Sequence, residues 1–99
     1  MSADQAALSR ACSALWLATL SLMTAFMQTA APAHRYLLAR RIARNLETLS
    51  HEDSFSAACR ASFARLSRRW TARADQLAPA AARPRGGLRA LPALLMRIR

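Results

Sequence analysis

Aliphatic β-branched side chains occur at two of the 99 positions, Ile42 and Ile98, and valine occurs nowhere. Strands draw on such residues because a branched Cβ packs well on a pleated surface. This chain instead carries 24 alanines and 15 leucines, which lose little conformational freedom in a helix. The expected class is therefore all-α, and the length allows one small domain. A chain this short buries a thin core and has few residues to spare for a deep site. A binding role is expected over an enzymatic one, and no cofactor is expected.

Hydrophobic spacing divides the chain into an antiparallel three-helix bundle over 1–78, followed by a flexible basic C-terminal tail. The first helix is expected at about 6–30, where Leu8, Leu15, Trp16, Leu22, Met23 and Phe26 fall on one broad arc. Pro32 ends it. The second helix is expected at 34–49, with Leu38, Ile42, Leu46 and Leu49 in steps of four, four and three, and with Ala39 and Ala43 letting a neighbour approach closely. The polar run Ser50–Ser54 favours a turn and a helix cap. A third helix is expected at 54–77, where Phe55, Cys59, Phe63, Leu66, Trp70 and Leu77 share one arc. Residues 79–87 hold two prolines and both glycines, a linker composition. Leu88, Leu91, Leu95 and Ile98 then recur at helical spacing around Pro92.

The first helix admits three environments. No charge occurs from Ala11 to Ala33, long enough to cross a bilayer. Four leucines and one phenylalanine give roughly 2 kcal/mol of insertion free energy, which the Ser, Thr and Gln residues largely cancel. Ala31-Pro32-Ala33 offers a small-x-small pattern after an apolar run, as in a signal peptide. The acid at Asp4 and the dense positive charge after Ala33 oppose export. A soluble helix packed on the other two is the preferred reading, in a cytoplasmic protein, with inner-membrane or exported states as alternatives.

Few residues suggest chemistry. Cys12 and Cys59 are read as two buried thiols, near enough to one end of the bundle for a disulfide to be conceivable. They lack zinc-site spacing. His34 and His51 bracket the second helix and lie about 25 Å apart along it, too far to share a metal ion. His51 among Ser50, Glu52, Asp53 and Ser54 is read as capping chemistry and not as a triad.

The arginines carry the sharper expectation. Fifteen of them against five acids leave a net charge of +10, with no lysine at all. Part of that bias is what a GC-rich coding sequence produces, but the positive field attracts polyanions whatever its origin. Arg40, Arg41 and Arg44 on the second helix and Arg65, Arg69 and Arg73 on the third are the candidate anion-binding residues, since guanidinium groups suit phosphate or carboxylate. No Asn or Gln stands among them to read base edges, so nucleic-acid binding would be nonspecific phosphate contact. The leading expectation is a small basic interaction or adaptor module. Its partner is an acidic protein surface, a partner helix or a second copy, met through Trp16, Met23 and Met27 of the first helix. Nonspecific nucleic-acid binding and membrane association are the alternatives.

Overall fold

The computed structural model describes residues 2–79, which form three helices: α1 (Ala3–Gln28), α2 (Pro32–Ser50) and α3 (Ala57–Leu77). Short connections make α1 and α2, and then α2 and α3, antiparallel neighbours, giving the expected helical bundle. Of the linker and amphipathic tail expected over 79–99, residues 80–99 lie outside the described residues.

Helix boundaries follow cap chemistry, which moves several of them from the expected positions. α1 starts at residue 3 and not 6, because Ser2 and Gln5 form a reciprocal capping box with two 3.1 Å hydrogen bonds. α1 stops at Gln28 and not residue 30. α2 starts at Pro32 and not His34, since proline lacks only an amide that the first turn leaves unbonded anyway. α2 runs one residue past 49, to Ser50. α3 begins at Ala57 and not residue 54, because Ser56 is the cap and its Oγ accepts from the Cys59 amide at 3.1 Å. Ala31 and Ala78 both stand before a proline and both have extended backbone, as the proline ring demands of its predecessor.

α2 is the central element. Ala39, Ile42, Ala43, Leu46 and Leu49 are all buried, as the spacing of its apolar residues implies. Ala43 lets α3 come close enough for Ser67, itself buried, to donate its hydroxyl to the Ala43 carbonyl at 2.9 Å. That polar tie across the α2–α3 seam has no signature in the sequence, where serine reads as surface.

α1 joins this pair through large side chains. Trp16 meets Phe63 edge-on at 5.1 Å between ring centroids, and Phe26 meets Trp70 at 5.0 Å. Each such pair is worth about 0.5–1.5 kcal/mol beyond area burial. The Arg35 guanidinium lies 4.2 Å from the Phe26 ring centroid and donates to the Thr29 carbonyl, which pins the α1–α2 corner. Between the aromatic contacts sits Thr19, fully buried, with its hydroxyl donated to the Leu15 carbonyl at 2.7 Å. A threonine bonded back in this way enters a core without an unsatisfied group.

Candidate docking surface and arginine faces

α1 is one-sided. Of its residues only Cys12, Thr19 and Phe26 are buried, with Leu15, Trp16, Leu22 and Met23 half-buried beside them. Of its most apolar 18-residue window, 17% is buried inside the protein, and by length and composition this helix could cross a membrane. The core helix of a soluble protein would have most of that window covered. The outward side carries Leu17, 64% exposed, Leu20, 41% exposed, and Met27, 79% exposed, among alanines, serines and threonines. On this side Ser21 donates its hydroxyl to the Leu17 carbonyl at 3.0 Å and Thr24 donates to the Leu20 carbonyl at 3.2 Å. Their donors are satisfied within the helix, so the outward surface is less polar than its composition suggests.

Of the residues proposed to meet a partner, Trp16 and Met23 are turned toward the core and partly covered, and Met27 stands in solvent. Leu17 and Leu20, which depart from the apolar arc in the sequence, turn out to form the exposed apolar surface with Met27. That departure, on a helix without charge from Ala11 onward, is what the sequence offers for it: with Leu17 and Leu20 off the inward stripe, the segment is apolar enough to be covered on more than one side.

The six candidate arginines are all exposed and do not converge. Arg40 and Arg44 line an open groove of about 620 Å³ between α2 and α3, together with Tyr36, Glu47, Thr71 and Asp75. Arg40 donates to the Tyr36 hydroxyl at 3.4 Å. α1 packs on the other side of the α2–α3 pair, where the Arg73 guanidinium lies 5.8 Å from the Phe26 ring centroid. Arg69 and Arg65 follow Arg73 at steps of four, each step turning about 40° further from α1, and Arg65 donates to the Ser62 hydroxyl at 3.0 Å. Arg41, turned about 100° from Arg40, leaves the groove for the flank of α2 beside α1. A flat polyanion therefore meets either the groove pair or the flanking set, and not all six.

None of these arginines forms a direct ion pair among the described residues, although Glu47 and Asp75 share the groove with Arg40 and Arg44. Among the described residues no arginine lies within 4.0 Å of a carboxylate oxygen, and the one close acid–base contact is His51 Nε2 to Glu47 Oε2 at 2.8 Å. His51 is the C-cap residue of α2. Ser54 takes no part in capping; its hydroxyl lies 3.8 Å from the Cys12 sulfur.

Both cysteines are unbridged, Cys12 buried and Cys59 exposed. The expectation of two buried thiols fails for Cys59 because the first turn of α3 lies beyond the edge of the core: Ala57, Ala58 and Cys59 are all exposed, and Phe63 is the first buried residue of that helix. Among the described residues no group of three or more His, Cys, Asp or Glu side chains could hold a metal ion. No family model, curated protein or solved structure matches this chain.

Proposed function

We propose that this chain is a small cytoplasmic interaction module without a catalytic centre of its own, which docks through the outward side of α1. The exposure of Leu17, Leu20 and Met27 on a helix without charge from Ala11 onward supports this reading. Leu17 and Leu20 stand one turn apart and Met27 about two turns further on, and apolar side chains grouped on an exposed helix are a feature of binding surfaces. The counterpart is apolar at its centre and negative at its rim, to suit the arginines on either flank.

Magnitudes favour docking of the folded bundle over insertion of α1 across a bilayer. Leu17 and Leu20 would gain roughly 0.3–0.6 kcal/mol each at the centre of a membrane, about 1 kcal/mol together. Withdrawing α1 from the bundle separates Trp16 from Phe63 and Phe26 from Trp70, edge-on pairs worth about 0.5–1.5 kcal/mol each beyond their area, and uncovers the apolar side chains of α2 and α3 that α1 packs against.

Nile red, a neutral dye, is expected to fluoresce on the folded protein, and Leu17→Glu together with Leu20→Glu is expected to abolish that signal. Both positions are exposed, so helicity and melting temperature should hold, each change costing within about 0.5 kcal/mol. A folded wild-type protein that leaves the dye dark contradicts the reading.

A further inference from the structure

We infer that the surface docked by α1 is an anionic membrane, with α1 lying in the plane of the interface and the folded bundle standing on it. The inference rests on the reading of α1's outward side as the docking surface, and adds the identity of what covers it. Three observations single out lipid.

The first is charge placement. Leu17, Leu20 and Met27 are exposed on α1, helix geometry puts exposed Arg41 of α2 and exposed Arg69 of α3 on the flanks beside that helix, and among the described residues neither arginine has a carboxylate within 4.0 Å. An apolar strip between cationic edges matches acyl chains below and phosphate groups alongside. The same arrangement opposes a second copy, because face-to-face pairing brings the flanking arginines of both chains together, each chain at +10.

The second is shape. The ridge is the outer side of a single helix, and the two cavities described lie elsewhere, one between α2 and α3 and one around Gln5, Leu8 and Asp53. A protein partner concentrates its affinity in anchors that fill pockets. A fluid surface moulds to a convex helix and needs none.

The third is the outward hydroxyls. Ser21 and Thr24 donate to Leu17 and Leu20 carbonyls, so neither loses a water partner for its proton at the edge of the hydrocarbon.

The test uses full-length protein and vesicles of phosphatidylcholine, alone or mixed with phosphatidylglycerol, with sedimentation of the lipid as readout. Binding is expected to the anionic vesicles, with release by high salt. Leu17→Glu with Leu20→Glu, and separately Arg41→Glu with Arg69→Glu, should each weaken it at least about tenfold while helicity is unchanged. Anionic binding that the leucine variant leaves intact overturns the inference, because it shows charge adsorption with no role for the ridge. Retention that only detergent reverses also overturns it, in favour of a spanning helix. Failure to bind, with a dimer that the leucine variant dissociates, overturns the lipid assignment and leaves the α1 surface as a protein-docking site. A monomer that binds neither vesicles nor Nile red removes both.

Discussion

Leu46→Ala is expected to lower stability by about 2–5 kcal/mol, because the side chain is fully buried in the core cluster around the central helix and its loss leaves a cavity there. The 78 described residues correspond to a total of roughly 4–12 kcal/mol, so the variant sits near the limit of folding. Its melting temperature should fall by roughly 10–30 °C, read by far-ultraviolet circular dichroism. Leu37→Ala on the same helix is the control. Leu37 is 58% exposed, and its loss should cost within about 0.5 kcal/mol. Equal effects at the two positions would mean that α2 is not the buried centre.

Phe26→Ala is expected to cost about 3–5 kcal/mol as well, but to spend that loss on α1. The ring holds Trp70, Arg35 and Arg73 in one cluster at the end of α1. α1 has three buried residues against five in α2, and its other ring contact is Trp16–Phe63. Local opening should follow the least-buried unit. Hydrogen exchange in the variant should therefore accelerate at α1 amides more than at α2 and α3 amides. Uniform acceleration across all three helices would show that α1 is as integral to the core as α2.

These two variants mark the division between what the residues disclose in order and what needs the assembled chain. α2 and α3 were legible because arginines contrast sharply with Ile42, Leu46 and Phe63, so periodicity alone separates inside from outside. α1 offers no such contrast. Alanine, serine and threonine fill its wheel, Thr19 enters the core by bonding back to Leu15, and Leu17 and Leu20 stay out. Burial of a satisfied threonine and exposure of a leucine both run against composition, and only the positions of Phe63 and Trp70 decide them.

Helix ends were displaced for a different reason. Apolar periodicity marks where a helix becomes useful to the core, whereas Ser2, Pro32 and Ser56 mark where the backbone hydrogen bonds begin. The arginine faces were legible helix by helix and not as a site. Which side of α2 meets α3 is set by Ala43 and Ser67, and that contact turns Arg40 and Arg44 to the groove and Arg41 to the flank.

The one-sided packing of α1 underlies both the docking surface and its lipid partner, and the chain carries a reporter for it. Cys12 is 7% exposed on the inner side, and Leu17 is 64% exposed on the outer side. Alkylation in plain buffer should be slow at Cys12 in the Cys59→Ser protein, limited by opening of the helix. It should run at the rate of a free thiol in a Cys12→Ala, Cys59→Ser, Leu17→Cys protein. Equally fast reaction at both positions would show α1 detached from the bundle, and equally slow reaction would show its outer side already covered; either contradicts a helix packed on one side and open on the other.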